Sequence, residues 1–286
     1  MKKYLKLMRV HHYVKNLLVF AALACSGRLF NWEKLCTGIT AFVAFCMVSS
    51  AVYIINDICD REKDRKHATK CTRPIAAGTV SVKSAWIMIA AFLVIAAICN
   101  GIAFRVSSSM LLLCYLVLNL GYSFGLKNVP IVDVTILVAG FLIRIMYGAI
   151  VTDIPISNWL YLTVIAFAFF FALGKRRNEL RQSSGGETRP VLKAYPIKFL
   201  DMNMGMCLTL ANVFYALWSI DEKTTSFYQN DRLIFTVPIV LLITMKYSLD
   251  IEGDSDGDPV EVLLHDKLLL SLVVLYLAIM LMILYF

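Results

Sequence analysis

Residues 56 to 74 read NDICDREKDRKHATKCTRP. Asp57, Asp60 and Asp64 stand at i, i+3 and i+7. On a helix that spacing puts three carboxylates on one face over about two turns. Carboxylates stacked that closely repel one another unless a cation lies between them. Magnesium takes oxygen ligands from one or two carboxylates and fills its remaining positions with water and phosphate. The spacing therefore predicts a magnesium-bridged diphosphate site on Asp57, Asp60 and Asp64, with Asn56 adding an amide oxygen or fixing a ligand. The competing reading is a solvated helix end held by local Asp–Arg and Asp–Lys pairs. It is weakened by the preceding TAFVAFCMVSSAVYII, because Asn56 and Asp57 directly continue an apolar span. Polar groups at that depth are costly and usually functional. Downstream, Lys70 and Arg73 are suited to another face of the diphosphate, Arg as a fork and Lys as a point charge. Simple anchoring at a membrane surface is the alternative for these two.

A second polar set lies inside an apolar run. In DVTILVAGFLIRIMYGA, Arg144 is deep in the hydrophobic stretch, and Asp133 stands eleven residues earlier on nearly the same helical face, with Gly140 and Gly148 along the stripe. An unpaired Arg at that depth is expensive and must face a bundle interior or a cavity. Two readings remain open: a cavity-lining stripe for ribose hydroxyls or phosphate, and a structural Arg–carboxylate pair between helices. The later loop SLDIEGDSDGDPVEVLLHDK carries Asp250, Asp254, Asp256 and Asp258, but it lacks the closing Glu of a calcium loop and reads as an acidic surface segment.

The elements that must position these residues are membrane spans. The chain has 286 residues, 59% hydrophobic and 17% charged. Soluble domains carry about 25% charged residues. Nine apolar stretches, near residues 15–30, 35–55, 83–104, 109–124, 130–151, 158–173, 203–220, 232–247 and 267–286, approach the ~20 residues that cross a bilayer. The expectation is one all-α, polytopic integral membrane domain over residues 1–286, with about nine transmembrane helices. The first stretch is not read as a cleaved signal, since no cleavage site with a soluble mature domain follows it. Eight cysteines are scattered without paired spacing and read as apolar fillers. With nine spans, 22 of the 28 Lys and Arg fall on the N-terminal side, 5 on the other, and Arg144 within a span. That asymmetry predicts cytoplasmic loops near 56–83, 122–130, 174–202 and 246–267. The net charge of +8 suits anionic headgroups or a phosphorylated ligand.

NDICDREKDRKHATKCTRPIAAG resembles the first Asp-rich motif of the UbiA superfamily of intramembrane prenyltransferases. YSFGLK at 122–127 is similar to the next cytoplasmic segment of that family, and nine spans match its all-helical bundle. Members that prenylate aromatic rings carry a second Asp-rich motif after span six. Here that loop reads GKRRNELRQSSGGETRP, with Lys175, Arg176 and Arg177 where carboxylates would be expected. This departure resembles one branch more closely, the phosphoribosyltransferases that act on decaprenyl-type phosphates. HYVKNLLVFAAL, the Arg144 span, GKRRNEL and GDPVEVLLHDK agree with that branch.

The resemblance implies transfer of 5-phosphoribosyl from its 1-diphosphate to a polyprenyl phosphate, with Mg2+ held through Asp57, Asp60 and Asp64. It implies substrate contacts from Lys15, Asn16, Lys70, Arg73, Tyr122, Lys127, Asp133, Arg144, Lys175, Arg176 and Glu179. The implied partners are a polyprenyl phosphate lipid, a phosphorylated sugar diphosphate donor and the lipid bilayer, and not nucleic acid. The implied location is the bacterial inner membrane, with the active-site loops cytoplasmic. An ordinary UbiA-type prenyltransferase is the alternative reading. A transporter is the third, disfavoured because no internal repeat is evident and the acidic residues lie at a span mouth.

Overall fold

The computed structural model describes residues 2–67, 70–102, 105–182, 190–253 and 259–285, and among these there is helix and no strand. In lipid every backbone N–H and C=O must find a partner within the chain, and the α-helix provides one for each residue. Helix α1 (Lys2–Met8) is followed by four short helical turns between Val10 and Ala24. The long helices are α2 (Trp32–Cys59), α4 (Val82–Ile102), α5 (Val106–Phe124), α6 (Val132–Thr152), α7 (Asn158–Gln182), α8 (Ile197–Ile220), α9 (Val237–Asp250) and α10 (Lys267–Tyr285). The short α3 (Arg61–Lys66) sits between α2 and α4. Counting the 3-10 turn that leads into α9, eight of these are long and apolar enough to cross a membrane. The chain is a multi-pass membrane protein.

The first expected stretch, near 15–30, is not one long helix. It is a chain of 3-10 and α turns running antiparallel along α2. Tyr13 meets Ser50, Asn16 meets Ser49 and Cys46, and Phe20 meets Phe42. Close approach to another backbone sets this shape. A Cβ added at Gly148 of α6 would lie 1.8 Å from the Val19 carbonyl oxygen, so only glycine admits the segment there. At its far end Asn31 caps α2, its side chain accepting the Lys34 N–H at 3.1 Å.

The chain divides into two compact units, Met1–Lys127 with Ala139–Pro155, and Asn128–Val138 with Ile156–Phe286. In the first unit α2 is the central helix, packed on α4 and α5. Phe45, Val48 and Val52 of α2 join Ala96, Leu112, Tyr115, Ile143 and Tyr147 in one core, and a second core gathers Leu7, Ile54, Ile75, Val80 and Ile89. In the second unit α7 packs along α8, and Tyr215, Trp218, Leu233, Val240 and Met280 form a core. Helix α10 has a mean hydropathy of 2.8 over its most apolar window, yet most of its side chains are exposed. Lipid is the solvent that satisfies such a surface.

Candidate active site

In the first unit the acidic motif sits where α2 ends. The helix stops at Cys59, and Asp60 leaves helical geometry with φ −89° and ψ 3° before α3 begins. The expectation of one continuous face carrying three carboxylates is corrected by that joint. Asp57 and Asp64 converge, while Asp60 turns to another partner. Asp57 is 2% exposed, and its Oδ1 accepts Arg9 Nη2 at 2.5 Å and Arg73 Nη1 at 3.2 Å. The same Arg73 nitrogen donates to Oδ2 of Asp64 at 2.6 Å. Lys127 Nζ holds both oxygens of Asp60, at 2.7 and 2.8 Å. Asn56 accepts from the Ser123 hydroxyl at 3.1 Å, which fixes its amide beside the motif. Lys70 and Tyr122 are half-buried.

Among the described residues no group of three His, Cys, Asp or Glu side chains converges as a metal site. Two carboxylates nonetheless fit a divalent cation. Oxygens of Asp57 and Asp64 both lie within 3.2 Å of one guanidinium nitrogen, so both already reach a single positive centre. Carboxylate oxygens are the hard donors that magnesium takes.

Deeper in the same unit, Arg144 is 6% exposed, and its hydrogen-bond partners are all neutral. Nε donates to Asn16 Oδ1 at 2.9 Å, Nη1 to the Gly140 carbonyl at 2.6 Å and Nη2 to the Tyr115 hydroxyl at 3.1 Å. The rings of Phe45, Tyr115 and Phe141 surround the guanidinium. The reading of a structural Arg–carboxylate pair is corrected: among the described residues no carboxylate pairs with Arg144, and Asp133 has partners of its own. Asn16, expected at the substrate, is buried and ties Arg144 to Ser49 and Cys46 of α2, with Lys15 half-buried beside it.

In the second unit Asp133 is fully buried near the start of α6. It accepts Arg176 Nε at 2.6 Å on one oxygen and the Tyr195 hydroxyl at 2.6 Å on the other. The Tyr195 oxygen in turn accepts the Ile131 N–H at 2.5 Å. Ile131 has φ 69°, a conformation that costs a β-branched residue about 1–3 kcal/mol. The phenol and the following helix hold it there. Burial first, and then the bond to Asp133, push the Tyr195 phenol up to about 12. Arg176 also bonds Glu179 at 2.8 Å and is 1% exposed. Asp133 and Glu179, both expected at the substrate, are thus joined through Arg176, which bonds each of them. Lys175, the neighbouring cation, is half-buried.

Arg177 pairs with Asp201 and with Glu252, and Arg181 also bonds Glu252. Those two guanidiniums, Arg181 first, hold the Glu252 carboxyl below its ordinary range. Lys246 bridges Asp250 and Asp266, and its hydrogen bond depresses Asp266 in the same way. Asp254, Asp256 and Asp258 lie outside the described residues. Sequence patterns missed Arg9 and Tyr195. Both are single residues far along the chain from the carboxylates they bind, and no local spacing marks them.

The fold, with an acidic motif at the end of α2, can now be set beside known proteins. The model of the UbiA prenyltransferase family matches residues 17–219. The chain belongs to this family. Its relatives include the decaprenyl-phosphate phosphoribosyltransferase of Corynebacterium glutamicum, 35% identical over 278 residues, covering 93% of this chain and 81% of that protein. The enzyme of the same name from Mycolicibacterium smegmatis is 35% identical over 283 residues, covering 93% of this chain and 87% of that one. A UbiA homologue of Archaeoglobus fulgidus, solved bound to DMAPP and Mg2+, superposes with a TM-score of 0.71 over 99% of both chains at 17% identity. At that identity the likeness is one of fold. UbiA membership makes the chain a transferase by family.

Proposed function

We propose that this UbiA-family chain transfers 5-phosphoribosyl from 5-phosphoribosyl 1-diphosphate to a polyprenyl phosphate, releasing diphosphate. The observation that carries the reading is the 35% identity to decaprenyl-phosphate phosphoribosyltransferases across 93% of the chain. The cations at the end of α7 support it, since Lys175, Arg176 and Arg177 stand where an aromatic prenyltransferase places carboxylates. In this reading residues 1–286 form one catalytic domain in the bacterial inner membrane, with the charged loops cytoplasmic.

Asp57 and Asp64 would hold a magnesium ion, with Asp60 and Asn56 at its margin. Bound there, the ion would stabilise negative charge on the departing diphosphate. Arg73, Arg9 and Lys127 lie against the motif's carboxylates and would turn to a diphosphate bound there, since Arg forks bind phosphate bidentately. Lys70 and Tyr122 would line the same mouth. As diphosphate leaves, the anomeric carbon becomes oxocarbenium-like. The lipid phosphate is an anion near neutral pH, so it attacks without a strong general base. Lys175 would position a phosphate, either the acceptor's or the donor's 5-phosphate. Arg144, Asn16, Asp133, Arg176 and Glu179 act beneath these contacts by fixing the helices that carry them.

The test incubates purified protein with labelled phosphoribosyl diphosphate, magnesium and polyprenyl phosphate, then extracts lipid-soluble label. Label in the lipid fraction, abolished by chelator, is expected. Prenyl transfer from a prenyl diphosphate to an aromatic acid, with no lipid-soluble ribose, would overturn the reading in favour of an ordinary UbiA prenyltransferase.

A further inference from the structure

The carboxylates of the acidic motif already have cations on them. Asp57 carries Arg9 and Arg73, Asp64 carries Arg73, and Asp60 carries Lys127. Three anions meet three cations, so the cluster is close to neutral as it stands. A divalent cation arriving alone would set a doubly positive charge beside two guanidiniums and an ammonium. Little water reaches Asp57 and Asp64 to screen that repulsion. A diphosphate brings more negative charge than one divalent cation neutralises, and it offers the displaced guanidiniums a new partner.

We propose that Arg9 and Arg73 are exchangeable counter-ions, seated on Asp57 and Asp64 when no cation is bound and passing to phosphate oxygens when a diphosphate arrives with its metal. Both are placed to move. Their side chains are 18% and 25% exposed, against 3% for that of Asp57. Arg9 has an independent hold near the mouth. Its guanidinium lies 5.0 Å from the centre of the Tyr53 ring, one helical turn before Asp57, a contact made with a different side chain from the carboxylate. Arg9 itself adopts left-handed geometry, φ 52° and ψ 49°, which turns the end of α1 toward Asp57. The consequence is a coupling between two ligands: bare metal binds weakly, and metal and diphosphate each strengthen the other. The proposal rests on the motif being a metal–diphosphate site, and is indifferent to which group the enzyme transfers.

The experiment is equilibrium dialysis of the full-length protein in detergent against radiolabelled Mn2+, with and without inorganic diphosphate. For the parent, diphosphate is expected to raise protein-bound Mn2+ at least tenfold, although it chelates the free ion. Arg9→Gln is expected to bind bare Mn2+ about tenfold more tightly, as loss of one charge-assisted contact to Asp57 implies. The gain from diphosphate shrinks in that variant. Arg9→Lys, which keeps the charge, stays near the parent. Arg73→Gln provides the same test from the other side should Arg9→Gln fail to fold by its size-exclusion profile. The proposal is overturned if diphosphate leaves Mn2+ binding to the parent unchanged, or if removing either guanidinium weakens bare Mn2+. Coupling without any phosphoribosyl transfer would sink the functional reading alone, and transfer without coupling would sink this one alone.

Discussion

Asp133 joins two cases in which a single atom can be tested, because one carboxylate serves both Tyr195 and Arg176. Tyr195→Phe removes an oxygen that accepts from Ile131 and donates to Asp133, leaving two polar groups short of partners. Each buried group so stranded costs about 1–3 kcal/mol. Unfolding in detergent should therefore shift by about 2–6 kcal/mol with the helical spectrum unchanged. The pH profile gives a second readout. The folded phenol is raised to about 12 from an ordinary 10.0, so the native state keeps its proton while the unfolded state loses it. That stabilisation is complete below pH 10 and is lost as pH rises towards 12. The parent should lose stability in this window faster than Tyr195→Phe, and parallel profiles would refute the role. Lys175 and Arg176 make the second case. Arg176→Ala leaves Asp133 buried without its cation, a loss of about 3–5 kcal/mol. Its failure should appear as unfolding before any change in substrate use. Lys175→Ala should stay folded and lower transfer roughly tenfold, the effect of losing ~1.4 kcal/mol. Initial rates against donor concentration, taken beside thermal unfolding, separate the two, and matching behaviour in both assays would refute the division of roles. Arg189, a control cation in the same loop, lies outside the described residues.

Helices bring such atoms together only where their backbones can meet, and glycines decide that at one crossing. A Cβ on Gly148 would fall 1.8 Å from Val19 O and 2.7 Å from Val19 C, both backbone atoms that no rotamer change can move aside. Gly148→Ala must push α6 away from the N-terminal turns, at a cost of about 1–3 kcal/mol or more. Gly205 in α8 has nothing within 4 Å of the same added atom, so Gly205→Ala should be neutral or stabilise by ~0.5–1 kcal/mol. Thermal unfolding of the two variants should move in opposite directions, and a shared sign would refute the packing argument. At this scale the sequence is legible where period and composition speak. The eight long helices stand where the apolar stretches do, and the acidic motif lies at a helix end because an apolar run stops at Asn56. It is silent where contacts between distant residues decide. Nothing in REKDRK announces that α2 ends at Cys59, since neither Gly nor Pro marks the joint. Nothing in LKLMRVHH says that Arg9 turns left-handed to meet Asp57. The stripe linking Asp133 to Arg144 was real as a helical face, yet each residue binds neighbours that the face alone could not name.

For the whole molecule the question is which side of the membrane each loop occupies. Eight long helices alone would return the chain to the side on which it began. The contacts of the N-terminus add a ninth passage. Lys3 and Lys6 bond the carbonyls of Thr79 and Thr72, and Arg9 bonds Asp57, so α1 lies at the Cys59 end of α2. By Asn31 the chain has reached the other end, having run the length of a 28-residue helix through turns that are short individually. A helix of that length spans about 42 Å, more than the hydrocarbon core. The broken segment thus runs as far as a spanning helix, although none of its turns alone is long enough to cross. With nine crossings, the 22-to-5 distribution of Lys and Arg predicts that the N-terminus and the 56–83, 122–130, 174–202 and 246–267 loops are cytoplasmic. Reporter cysteines test this in a background lacking the eight native ones, all of which are free thiols. Glu62→Cys and Lys193→Cys, both at exposed positions, should resist an impermeant reagent applied to intact cells and react after permeabilisation. Asp153→Cys and Lys223→Cys, exposed on the opposite loops, should react without it. If the N-terminal passage were a surface hairpin instead, a reporter at Lys3 would label from outside while Glu62→Cys stayed protected. That pattern would contradict the Lys3–Thr79 and Arg9–Asp57 contacts together, and with them the counter-ion that Arg9 provides to the acidic motif.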